Sequence, residues 1–128
     1  MIQTTPPLMT FEEFLNWYPG DGRRYELISG EVVGVRPRDD YEGVTSQIVR
    51  VVDREIERLA LDWFIPKTCC VKPAGNLDGY VPDVIVLDRA RLGAEPLWKT
   101  ASTITQGRSA CLVVEVVSRI GMMTMPES

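Results

Sequence analysis

Histidine is missing from all 128 residues. That absence removes Ser-His and Cys-His nucleophile pairs, histidine-ligated endonuclease metals and histidine-rich zinc sites. Any hydrolysis must then run on carboxylates, lysine or a metal held by oxygen ligands. Cysteine is scarce: Cys69 and Cys70 are neighbours and Cys111 stands alone. Adjacent strand residues point to opposite faces, so the pair chelates poorly and seldom bridges. Three cysteines without histidine make no zinc site, and buried thiols in an intracellular protein are the plainer reading. An excess of basic charge is missing too. The 14 Lys and Arg against 18 Asp and Glu leave a formal charge of −4. A nucleic-acid partner therefore needs a local basic stripe or a metal to offset phosphate repulsion. No run approaches the roughly 20 apolar residues of a membrane span. The N-terminus MIQTTPPLMT has neither the basic nor the apolar part of a signal peptide. These absences predict a soluble, cytoplasmic protein. The length fits a single domain, which should bury roughly two thirds of its unfolded surface.

What is present divides by period. Thr10-Phe11-Glu12-Glu13 fits a capping box, and Phe11, Phe14 and Leu15 fall on one face of a short helix ending near Pro19. In RYELISGEVVGV two β-rich runs flank Ser29-Gly30, which predicts a tight hairpin. Asp39-Asp40 with nearby prolines and glycines reads as a loop. From Glu42 to Trp63, Val44, Ile48, Val51, Val52, Ile56, Leu59 and Trp63 recur every three or four residues. This predicts an amphipathic helix of about six turns. Strands are expected in FIP, TCCVKP, PDVIVLD and CLVVEVVS, with a polar connection over 89–109 that can hold a helical turn. The fold class is α/β in the α+β sense: a mixed β-sheet packed on one long helix, preceded by a short helix and a hairpin.

Two acids have unsuitable neighbours. Asp83 follows Pro82 at the start of VIVL, and Glu115 lies towards the end of LVVEVV. If those strands pair antiparallel, the two carboxylates sit side by side. Such a pair repels strongly, and each buried charge costs several kcal/mol unless compensated. A hard divalent cation relieves both penalties, and Mg²⁺ is commonly held by one or two carboxylates with waters and phosphates. Simpler roles account for the same residues. Asp83 can cap the turn Leu77-Asp78-Gly79-Tyr80, and Glu115 can face water on an edge strand or pair with an arginine. Arg23-Arg24 and the arginines of the long helix fit solvated faces as readily as a phosphate track.

The ordered set MTFEEFLNW, DGRRYELISGEVV, a long helix, VPDVIVLD and LVVEVVS resembles the Uma2 family of putative restriction endonucleases, within the PD-(D/E)XK nuclease superfamily. The likeness runs from about Met9 to Ser118. It implies a restriction-endonuclease-like core and DNA as the substrate. Asp83 and Glu115 would be the two ligands of Mg²⁺ or Mn²⁺, and phosphodiesters would be hydrolysed by a metal-activated water. Glu26 of Tyr-Glu-Leu matches a further acidic site position, and Glu31 is a weaker match.

The sequence departs from this pattern in three places. The superfamily's lysine would stand two residues after the second acid, where this chain has Val117. Related families displace that lysine onto a following helix, itself followed by a strand. Instead, residues 119–128 read RIGMMTMPES, an atypical tail, and Lys67, Lys72 and Lys99 all lie upstream at no family position. The histidine that many relatives carry near Glu42 is absent as well. The expectation is a C-terminally truncated domain, produced by a frame change or early stop. It lacks its catalytic lysine, final helix and final strand, and its activity is weak or lost. The alternative is an inactive remnant, or a binding module that covers its open strand edge by homodimerising.

Overall fold

The computed structural model describes residues 8–35 and 39–117. The expected tail over 119–128 lies outside them. Helix α1, Phe11–Trp17, begins with the anticipated capping box: Thr10 Oγ1 accepts from the Glu13 N–H, and the Glu13 carboxylate accepts from the Thr10 N–H. Its i, i+3 pair Phe11 and Phe14 is buried, with ring centroids 5.9 Å apart. Strands β1, Arg24–Ile28, and β2, Glu31–Val35, form the antiparallel hairpin. Ser29 and Gly30 turn it with φ of 50° and 83°, the doubly left-handed turn that matches strand twist. Leu27 and Gly79 then exchange both backbone hydrogen bonds at 2.8 Å. Gly79 is required there by close approach, because an added Cβ would lie 2.6 Å from the Phe11 ring.

Helix α2 spans Asp39–Arg58, so it starts inside the expected loop and stops before Trp63. Its end explains the difference. Ala60 takes a left-handed φ of 53°, the Ala60 N–H bonds Glu57 O, and the Leu61 N–H bonds Ile56 O. That is a Schellman closure with alanine where glycine is favoured. Ala60→Gly is therefore expected to stabilise the domain by about 1 kcal/mol, seen as a higher urea midpoint with unchanged m. The apolar stripe of α2 is also only partly covered. Ile56 is 8% exposed, while Val51 and Leu59 are 54% and 52% exposed.

The remaining strands do not make one mixed sheet. Strands β3, Trp63–Phe64, β5, Val84–Asp88, and β7, Ala110–Val114, form an antiparallel sheet in the order β3-β5-β7. Strands β4, Cys70–Val71, and β6, Thr103–Ile104, pair in parallel as a separate ladder. The α+β class holds; the strands are divided among three small sheets. Four consecutive residues of β5, Val84 to Leu87, are buried, whereas Leu112 and Val113 of β7 are exposed. Among the described residues β7 pairs with β5 alone.

Two cores result. Ile85, Leu87, Ile104 and Cys69 pack with Phe64 and Trp98, and Phe11, Phe14 and Leu27 pack with Tyr25 and Leu97. Cys70 borders the second core while Cys69 belongs to the first, as opposite-facing neighbours should. Burial pushes the Cys69 thiol up to about 11 and the Cys70 thiol up to about 12, so neither is a ready nucleophile. The 89–109 connection holds the expected helical turn, with further short elements besides. It carries 3₁₀ turns at Arg89–Ala94 and Gly107–Ser109, helix α3 at Trp98–Ala101, and β6.

Candidate active site

Pro82 lacks a ladder N–H, and the β5 ladder begins two residues later at Val84. In the β5–β7 register Val84 faces Val114, which brings Asp83 opposite Glu115. The two acids then cross. The Asp83 N–H donates to Glu115 Oε1 at 3.3 Å, and the Val116 N–H donates to Asp83 Oδ2 at 2.7 Å. Asp83 therefore does not cap the upstream turn; within that turn Asp78 accepts from the Ser29 N–H of the hairpin at 2.8 Å and from the Tyr80 hydroxyl at 3.1 Å.

Glu26 comes from the hairpin. Its Oε2 accepts from the Val81 N–H at 2.7 Å, two residues before Asp83. Burial pushes the Glu115 carboxyl above its usual range, and the negative charges of Asp83 and Glu26 add to the rise. The Asp83 N–H bond and the Arg24 guanidinium oppose it. Three acids and one arginine thus share a field, although they come from β1, the lead-in to β5 and the end of β7.

A cleft of about 470 Å³ opens beside Asp83, between α2, the 65–69 segment and 81–85. Arg24 and Lys67 bring positive charge to its lining, and Asp53 of α2 brings a second acid. Arg24 was legible only as one of a charged pair, yet it stands two residues from Glu26 on one strand. Alternation puts both on the same face. Lys67 reaches the cleft through the chain's path after β3, which no local pattern announces. Glu31 sits opposite Ile28 at the hairpin turn, exposed and away from the cleft lining. Lys72 is engaged with Gly75 O at 2.7 Å, and Lys99 lies on α3.

The model of the Uma2 family, described as putative restriction endonuclease, matches residues 11–120. The chain belongs to this family. No curated protein matches it. In this Uma2 member the acids offer oxygen donors only, which suits a hard cation. Asp83 Oδ1 and Glu115 Oε2 accept no hydrogen bond among the described residues, so each acid keeps one oxygen available. Among those residues no three His, Cys, Asp or Glu converge to hold a metal ion. The donor set is thus a pair of carboxylates with Glu26 beside it. That fits Mg²⁺ or Mn²⁺, which complete their shells with water and phosphate, and does not fit an all-protein cage. No described helix is long and apolar enough to cross a membrane.

Proposed function

We propose that this Uma2 chain is a metal-dependent endonuclease domain that hydrolyses DNA phosphodiester bonds. The crossed pair of Asp83 and Glu115 beside a cleft with two cations carries this reading. Asp83 and Glu115 would hold Mg²⁺ or Mn²⁺. A divalent ion there supplies Lewis acidity to a phosphoryl oxygen and favours ionisation of a water. Arg24 and Lys67 would orient the phosphodiester and offset its charge, so local charge overcomes the net −4. Glu26 is fixed by Val81 and adds negative potential, which favours cation uptake. With Val117 at the superfamily's lysine position, Lys67 is the amine nearest in role, supplied from a different segment.

A second reading is favoured by exposed Leu112 and Val113 on β7, whose outer edge has no partner among the described residues: a non-catalytic module that dimerises through that edge. Thermal denaturation separates the two. Under the nuclease reading, millimolar Mn²⁺ raises the unfolding midpoint by mass action, and supercoiled plasmid is nicked by pure protein. Plasmid that stays intact, with no metal shift and a dimer in sedimentation, would select the second reading.

A further inference from the structure

Adjoining the carboxylate cleft is a larger cavity, of about 750 Å³. Arg24, Thr68, Cys69 and Val81 line both it and the carboxylate cleft, so the two share a wall. We propose that this cavity receives an unpaired nucleobase of the DNA strand whose phosphodiester lies at Asp83 and Glu115. The position of that phosphodiester rests on the hydrolytic reading above.

The lining has the chemistry of base recognition. Tyr18 and Tyr25 supply aromatic surface, Arg23 supplies a guanidinium, Arg24 lies in the wall shared with the carboxylate cleft, and no Asp or Glu lines the cavity among the described residues. In a chain with a net charge of −4, a cavity with two arginines and no acid is a local exception. Asp21 stands nearby but is engaged, accepting from the Tyr25 hydroxyl at 2.8 Å and the Arg23 N–H at 2.9 Å. Asn16, Thr100 and Ser102 add polar side chains that can serve a base edge.

Tyr18 is 38% exposed and already fixed at its tip. Its hydroxyl donates to Arg23 O at 3.4 Å and accepts from the Tyr25 N–H at 3.1 Å. A stacking partner would therefore find the ring in place, with little rotamer freedom left to lose. The volume is within the range of small-ligand pockets and exceeds what a single base needs. A base inside a duplex is stacked on both faces and paired, so it reaches such a cavity only after extrusion. The favoured ligand is single-stranded or locally unpaired DNA.

Fluorescence anisotropy with a labelled single-stranded oligonucleotide and its blunt duplex, in EDTA, tests this. Wild type should prefer the single strand. Tyr18→Ala should weaken single-strand binding about tenfold while changing duplex binding less than about threefold. Tyr18→Phe, which keeps the ring, should stay within about threefold of wild type. If Tyr18→Ala does not fold, Arg23→Gln at an exposed position serves instead. It should weaken single-strand binding and lower the salt slope by about one contact. Equal affinity for both DNA forms, or equal losses on both, overturns the proposal. Cleavage assays on the same proteins separate the two ideas. A Tyr18-dependent preference in a protein that cuts nothing leaves the cavity a nucleobase site and removes the hydrolytic reading. Cleavage without the preference does the reverse.

Discussion

Glu95→Ala should be the most destabilising single substitution of a charged residue in the described part of this domain. Glu95 is 5% exposed and has no basic partner among the described residues, yet four donors surround it. The Ser109 hydroxyl donates at 2.5 Å, the Thr105 N–H and hydroxyl at 2.7 and 2.9 Å, and the Gln106 N–H at 3.0 Å. One carboxylate thereby ties the end of the first 3₁₀ turn to the segment that feeds β7. Alanine would leave these donors without their acceptor, with Ser109 fully buried and Thr105 and Gln106 half-buried. Hydrogen bonds to charged groups contribute about 1.5–3 kcal/mol each, but they are not additive, and a net loss of about 4 kcal/mol is expected. That is a large share of the stability of an ordinary domain. Urea titration at neutral pH would read it directly; a loss below about 1 kcal/mol would show that the donors find water instead.

The same residue fixes the sign of the acid limb. Burial alone would raise the Glu95 carboxyl, but the bonds from Ser109, Thr105 and Gln106 outweigh it and hold the group below its ordinary 4.5. A depressed folded pKa contributes stability that is fully present above the unfolded value. It is lost as pH falls through the folded one. Wild type should therefore lose this contribution on acidification below about 4.5, and Glu95→Gln, which cannot titrate, should show a flatter acid limb from a lower starting stability.

Glu95 also marks where reading the sequence stops. Its partners lie 10 to 14 residues away inside a connection with no hydrophobic period, so nothing local distinguishes it from a solvated acid. The elements that were legible have local causes. Thr10 and Glu13 are three residues apart, Ser29-Gly30 has the composition of its turn, and Asp83 with Glu115 needs only an antiparallel pairing of two apolar runs. The end of α2 failed differently. Its apolar spacing continues to Trp63, but Ala60 adopts the left-handed cap that glycine usually announces. The division into three small sheets was hidden because β3, β4 and β6 are two residues long, too short for a period of two to register. Of the candidate site, Asp83 and Glu115 stood out as misfits in apolar strands, and Glu26 only through the family resemblance. Arg24 and Lys67 did not, because a cation on a surface strand or loop has no such contrast, and only tertiary folding places them at one cleft.

If the proposed nuclease reading holds, Asp83→Asn should produce the largest loss of activity with little loss of fold, and the contrast with Glu95 explains why. The asparagine amide retains a carbonyl oxygen that can still accept from the Val116 N–H, which Asp83 Oδ2 now does at 2.7 Å. The backbone N–H at this position still reaches Glu115. The crossed link between β5 and the end of β7 therefore survives, and what disappears is the negative charge. With that charge goes half of a donor pair that has no third carboxylate converging on it among the described residues. Removing the repulsion of Asp83 also leaves Glu115 easier to ionise, so the defect cannot be blamed on a protonated Glu115. Lewis-acid stabilisation worth several kcal/mol corresponds to about 10³-fold in rate. Nicking of supercoiled plasmid in Mn²⁺ should fall by about that factor, the Mn²⁺-induced rise in unfolding midpoint should vanish, and the midpoint in EDTA should move by no more than about 1 kcal/mol equivalent. Lys67→Ala should behave differently, because it removes charge from the cleft without touching either carboxylate: metal stabilisation stays while nicking drops. If Asp83→Asn keeps its full Mn²⁺ shift, the ion binds elsewhere and the carboxylate pair is a structural clasp between β5 and the segment that follows β7.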